Sequence, residues 1–522
     1  MNSFAPVICD ASYRCENGPR CKVHKGTKRT LLGKIYQKVR ADLSERLKTL
    51  LLRSLQSSDS GRRLAVIIFL SDMATDEHEH FPREQQFNVP DGGAIIRFTP
   101  CLVGDLRKLL SQDKDPDVCA AAVRAVVQIE PGTAATIEAV KASLEPTRKV
   151  AERLAAAEEL GHILRVMREL HRDKADVPRP GIAPGRRLLS LDQAEPILVR
   201  AAGAGLKDED ATVRRRCLEA IQQAVEQWQR PTANSPLARE VNERMTAVTR
   251  LLADSDLAVR LSAYQVLESA AAARRMIPQL AEELPSEGRQ VRSPKGELSP
   301  PAAAEPPLGG VLKALPALRK SLSDDEVRIR LASLYVLETL DFDAAPAVAE
   351  VVQALKDDKN GFVRWGAARV LNNMAPLESD KAVSALAEAL VDTNKTVRLT
   401  AVAALQRYGP KAAAAMKPLG KAIQDAEPRM RLGAINALAA IGADARPEAD
   451  ALLLALKDDK TPEVRAAAAK ALGQMGRLDA KTMKAIRNAL RDPEAAVRQA
   501  ASDLFLEDLP RFRGKSDTDG KE

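Results

Sequence analysis

Between residues 311 and 508 apolar side chains fall four apart in short runs: Val363, Ala367 and Leu371; Val397, Ala401 and Leu405; Met430, Ala434 and Leu438; Val464, Ala468 and Leu472. That spacing keeps three residues on one face of an α-helix, and the small middle residue lets neighbouring helices approach closely. Ahead of the runs, helices closing near Leu355, Leu390, Leu456 and Leu490 supply partners. The two helices of a unit are joined through one recurring phrase, an aspartate followed six residues later by an arginine. It reads Asp324 to Arg330, Asp358 to Arg364, Asp392 to Arg398, Asp425 to Arg431, Asp459 to Arg465 and Asp492 to Arg498, with arginines 33 or 34 residues apart. A fixed period of that length predicts an all-α solenoid of stacked two-helix repeats, each packed only on its neighbours.

Away from this array the pattern loosens. Residues 1–27 show no apolar periodicity, while in 28–172 Leu31, Ile35, Val39, Leu43, Leu47 and Leu51 begin a basic amphipathic helix. It suits a cap over the end of the solenoid core, or a helix lying on an anionic membrane or phosphate backbone. Divergent repeats are expected to follow, the first phrase being Asp113 to Cys119 with cysteine in the arginine's place. A Pro/Gly linker is predicted at 173–190. Repeats at 191–284 carry Asp208 to Arg214 and Asp254 to Arg260, and a proline-rich insertion occupies 285–310. The regular array fills 311–508, and 509–522 reads as a polar, disordered tail.

Composition changes this picture in two places. The net charge of +8 is concentrated in residues 1–50, where eleven Lys or Arg face four acids, so the array itself is electrically balanced. Any tether to nucleic acid or anionic lipid is therefore expected through residues 1–48 alone. All five histidines lie at or before His171 and the last of six cysteines is Cys217, which removes the commonest bases, nucleophiles and transition-metal ligands from the regular array. No catalytic residue is predicted. Aromatic residues make up 3%, too few for base-stacking platforms. No apolar run approaches a membrane span and no secretory leader is readable, so the chain reads as cytoplasmic.

Three groups invite a chemical reading. Cys9, Cys15, Cys21 and His24 place four soft ligands in a short segment, which fits either a zinc site or a flexible arm with reduced thiols; no other cofactor is indicated. His78, Glu79 and His80 fit a metal loop or an exposed acidic loop. Cys217 takes the small middle position of Val213, Cys217 and Ile221, the place of a buried structural thiol.

The repeated phrase has a structural reading. The aspartate can accept backbone N–H groups in the turn entering the second helix. Its arginine can reach an aspartate of its own or an adjacent unit, making a ladder that fixes register; a row of arginines binding phosphate is the rival.

Asp, five residues, Arg, then small-x-x-x-Leu, with Gly409-Pro410, Gly442 or Gly476 closing units, resembles HEAT repeats, in particular the short phycobilisome-lyase HEAT-like kind. The resemblance covers 311–508 best and 191–282 next, and it implies a right-handed superhelix used mainly for protein binding. Among enzymes of this architecture, deoxyhypusine hydroxylase uses several His-Glu pairs, and here only His78-Glu79 occurs. Nothing marks a tetrapyrrole site for a bilin lyase, and the near-neutral, aromatic-poor array differs from the basic cleft of HEAT-like DNA glycosylases. The expectation is a non-enzymatic scaffold.

With Val, Ala and Leu facing the core, the residue after each arginine projects to the opposite side of the second helix. Leu261, Leu331, Trp365, Leu399 and Leu432 occupy that position, with Tyr335 and Arg369 on the same face. These seven form the candidate partner-binding stripe on the expected concave face. The alternative is that the leucines pack against the next repeat.

Overall fold

The computed structural model describes residues 46–79, 99–172, 188–226, 235–283, 308–375, 380–476 and 479–513. Their chain divides into two compact units, 1–194 and 195–522. Among the described residues the regular secondary structure is helical, and one isolated antiparallel bridge joins Thr133 to Leu188. None of these helices is long and apolar enough to cross a membrane.

The first unit holds α1 (46–55), α2 (Ser60–Glu79), α3 (Thr99–Gln112), α4 (Pro116–Ile129), α5 (Ala134–Ser143) and α6 (Val150–Arg172). Helices α2, α4 and α6 stack side by side, with α3 laid on α4 and α5 on α6. Leu51 and Leu55 of α1 are buried, as are Ile67, Leu70, Val123 and Leu160 farther along. The bridge at Leu188, with Leu189 donating its N–H to the Gly132 carbonyl at 3.0 Å, ties the end of the expected 173–190 linker to the turn after α4.

The second unit takes most of α7 (Leu191–Gly205), followed by α8 (Ala211–Glu226), α9 (Pro236–Arg250), α10 (Leu257–Glu283), α11 (Leu315–Ser321), α12 (Val327–Leu340), α13 (Val348–Asp357) and α14 (Gly361–Asn373). It continues with α15 (Asp380–Glu388), α16 (Lys395–Tyr408), α17 (Met416–Ala422), α18 (Pro428–Ile441), α19 (Ala449–Asp458), α20 (Pro462–Gln474), α21 (Ala480–Ala489) and α22 (Ala495–Arg513). The even-numbered helices from α8 to α22 pack in unbroken succession, each on the next, so this unit is an α-solenoid. Val363, Ala367, Leu371 and their counterparts in the other repeats are fully or almost fully buried. Cys217 fills the small position with no exposure, and burial pushes its thiol far above the ordinary range. Ser333 stands in the same place on α12, and its hydroxyl donates to the Leu318 carbonyl at 2.7 Å, so no buried donor is left over.

Second helices need a stop, and residues with positive φ supply it, Gly132 (79°) after α4 and Gly476 (95°) after α20 among them. Gly409 (56°) and Gly442 (79°) follow α16 and α18, while Asp341 (55°) takes the same turn after α12. Glycine carries no Cβ to clash in this region; an aspartate there is strained.

Two boundaries differ from the sequence reading. The array resumes at Leu308 rather than 311, because Leu308 is buried and the Gly310 N–H reaches Asn242 Oδ1 at 2.6 Å. At the other end α22 runs to Arg513, past the expected start of the tail at 509, since Leu506, Leu509 and Phe512 prolong its helical spacing.

Candidate functional site

The site is built on the turns that join first and second helices. In each regular turn the aspartate Oδ1 accepts the N–H two residues on: Glu326, Asn360, Asn394, Glu427, Thr461 and Glu494 donate at 2.7–2.9 Å. Asn360 and Asn394 then cap α14 and α16 by accepting the Phe362 and Thr396 N–H groups at 2.8 Å. The aspartate thus fixes the turn from which its arginine leaves.

The arginine joins two repeats. Arg364 donates Nη1 to the Asp358 carbonyl of its own turn at 2.8 Å, while Nε and Nη2 grip both oxygens of Asp392 in the next turn at 2.7 and 2.8 Å. Arg330 with Asp358, Arg431 with Asp459 and Arg465 with Asp492 repeat this bidentate pairing. At these four positions the fork already holds a carboxylate, leaving none open to a phosphate. The rung from Arg398 is looser, with Nε 3.8 Å from Asp425 and buried without a hydrogen-bond partner. Arg498, the last, donates Nη1 to the Asp492 and Pro493 carbonyls, and no further aspartate–arginine phrase follows it among the described residues.

The ladder reaches beyond the regular repeats. Arg214 meets Asp254 at 2.8 Å, and Arg260 meets Asp324 at 3.1 Å. In the first unit Arg63 donates to the Ser57 carbonyl at 2.7 Å and grips Asp113 at 2.7 and 2.8 Å, while Ser57 Oγ accepts the Asp59 N–H as an aspartate would. This phrase, Ser57 to Arg63, was invisible to a search for aspartate; the signal was the six-residue offset from a turn-forming serine. Cys119 reproduces only the inner contact, its thiol donating to the Asp113 carbonyl at 3.5 Å. Burial, then Glu152 and Asp113, push that thiol up to about 11, which leaves it un-ionised and unreactive at neutral pH.

One residue beyond each arginine the chain turns outward. Leu261, Leu331, Trp365, Leu399 and Leu432 are all half-buried, in contrast to the fully buried core beneath them. Leu331 leans on the next repeat, since a Cβ at Gly366 would stand 3.9 Å from its Cδ2, and it still keeps an edge in solvent. Tyr335 is 38% exposed. Arg369 stacks over the Trp365 ring with its guanidinium carbon 4.8 Å from the centroid, and donates Nη2 to Glu338 of α12 at 2.6 Å. The stripe fades in the last repeats, where Ala466 is buried and Gln499 exposed.

Cys9, Cys15, Cys21, His24 and His80 lie outside the described residues, as does most of the basic arm 1–48; His78 and Glu79 close α2. Among the described residues no group of three or more His, Cys, Asp or Glu side chains is arranged to hold a metal ion.

The aspartate–arginine ladder over repeating helix pairs defines the class. The sequence profile of HEAT repeats matches residues 315–406, 383–456 and 449–503, so the segment 315–503 is an array of HEAT repeats. Curated proteins give no sequence match. Among solved structures, an engineered protein is 18% identical with a TM-score of 0.43, covering 88% of this chain and 98% of its own. Kap121p is 13% identical with a TM-score of 0.44, and importin beta 15% with 0.46; each covers 88% of this chain, which spans 45% and 56% of their respective lengths.

Proposed function

We propose that this chain is a non-enzymatic scaffold that binds a partner protein or peptide along the outward face of its second helices, the face centred on Trp365. The observation that carries the reading is the contrast within each second helix. Val, Ala and Leu are buried to completion, while Leu261, Leu331, Trp365, Leu399 and Leu432, one on each second helix from α10 to α18, stay half open. Side chains of this kind, set among polar neighbours such as Gln265, Gln406 and Asn436, gain most from being covered by a second surface. The four bidentate rungs of the ladder, by contrast, already hold their carboxylates and serve to keep the repeats in register. The absence of histidine and cysteine after Cys217 in the sequence agrees with binding rather than catalysis on this array.

The test is affinity capture from cells that express the protein, using wild type and Trp365→Ala, with thermal unfolding run beside it. The reading predicts partners retained by wild type and lost with Trp365→Ala while the melting temperature stays within a few degrees. Equal capture by both proteins would overturn it.

A further inference from the structure

Across the second helices the same face carries a row of carboxylates. Glu226 closes α8, Glu268 lies on α10 and Glu338 on α12, on successive helices of the stack. Ser269 Oγ donates to Glu226 at 3.1 Å, which ties α8 to α10 beside Glu268. At the α14 end of the row a cation is already seated: Arg369 lies over Trp365 and donates to Glu338. Among the described residues no such cation pairs with Glu268, which is exposed, with exposed Gln265 one turn before it and exposed Tyr335 on the adjoining helix. Partial burial raises the Glu268 carboxyl above its ordinary value, and its neighbours Glu226 and Glu338 raise it further. The charges around it therefore repel rather than neutralise.

Resting on the reading of this face as a docking surface, we propose that its partner is a basic peptide, whose lysine or arginine side chain inserts among Glu226, Glu268 and Glu338 beside Tyr335. Charge complementarity selects this occupant. Of Glu226, Glu268 and Glu338, only Glu338 is paired with a cation among the described residues, and its Arg369 contact shows within the chain how an aromatic ring and a carboxylate hold a guanidinium here. An acidic partner would meet the same carboxylates and be repelled.

A fluorescein-labelled peptide of alternating arginine and glycine, titrated with the full chain by anisotropy, gives the test; the same peptide with citrulline for arginine is the uncharged control. We expect the arginine peptide to bind at least about tenfold tighter than the citrulline peptide, and Glu268→Gln to remove about tenfold of that preference. Asp458→Asn, an exposed acid on α19, leaves it unchanged. Equal binding of the two peptides, or equal losses from Glu268→Gln and Asp458→Asn, overturns the proposal. If Glu268→Gln binds the arginine peptide like wild type while partner capture still depends on Trp365, the docking face stands and its cationic chemistry falls.

Discussion

Arg260 on α10 and Asp324 ahead of α12 pair at 3.1 Å although sixty-four residues separate them, whereas the regular rungs span 27 or 28. The same contact, made over more than twice the sequence distance, keeps α10 and α12 neighbours on either side of the proline-rich stretch. Arg274 and Arg275 of α10 reinforce the junction by pairing with Asp343 and Asp341 at 2.8 and 3.2 Å. The stack is continuous where the sequence is not.

Rungs of different geometry predict different energies. Arg364 makes a bidentate pair with Asp392 in which both side chains are largely shielded, so Arg364→Ala should cost about 2 kcal/mol. Arg364→Lys should recover little, because a single ammonium cannot reproduce the fork. The long contact from Arg398 predicts that Arg398→Ala costs about 1 kcal/mol or less. Urea unfolding of the three variants ranks them directly.

Asp341 holds the backbone turn that Gly409 and Gly442 hold in other repeats. Asp341→Gly should stabilise the protein by about 1 kcal/mol despite losing its pairing with the half-exposed Arg275. Gly409→Ala, the reverse experiment, should destabilise by a similar amount. Thermal melts of the two variants should therefore shift in opposite directions.

Acid should loosen the ladder. Burial alone would raise Asp392 and Asp459, but the hydrogen bonds from Arg364 and Arg431, with backbone amides, outweigh it and hold both below the ordinary 3.8; Asp492 is held low chiefly by Arg465. A folded-state value below the unfolded one contributes stability that is full above about pH 4 and lost as pH falls through the folded value. Glu159 in the first unit has the opposite sign. Burial raises it to about 7 from 4.5, Arg124 opposes and Glu158 adds to the rise, so its contribution is full below 4.5 and lost as pH climbs through 7. Glu159→Gln should raise stability at pH 8 by roughly 2 kcal/mol and leave pH 4 almost unchanged. Urea midpoints of wild type and variant at the two pH values check both signs.

The solenoid was legible from residues 311 to 508 because one backbone turn recurs with one side-chain pair, and periodicity multiplies a weak local signal. Where the pair is substituted, the signal disappears although the geometry does not. Ser57 can replace aspartate because the arginine binds the carbonyl of that residue and the turn needs only a side-chain oxygen. The link from Arg260 to Asp324 carries no sequence signature, since register across an insertion is decided by packing. The face was readable as a leucine stripe, but half-burial was not, because whether a side chain also touches the next repeat depends on close approaches such as that of Leu331 to Gly366. Glu268 and Glu338 are readable as face residues from their helical spacing, whereas the addition of Glu226 is not, because it arises only when three helices stack.

Docking on the second-helix face would bring a partner within crosslinking reach of that face and not of the first helices. Photo-crosslinking tests it most directly, with p-benzoylphenylalanine placed in turn at Tyr335, at Leu399 and at Leu454, an exposed residue of the first helix α19. Docking on this face predicts crosslinks to a shared partner from positions 335 and 399 and none from 454. Crosslinks from 454 alone would place the docking surface on the other side of the repeats and contradict it.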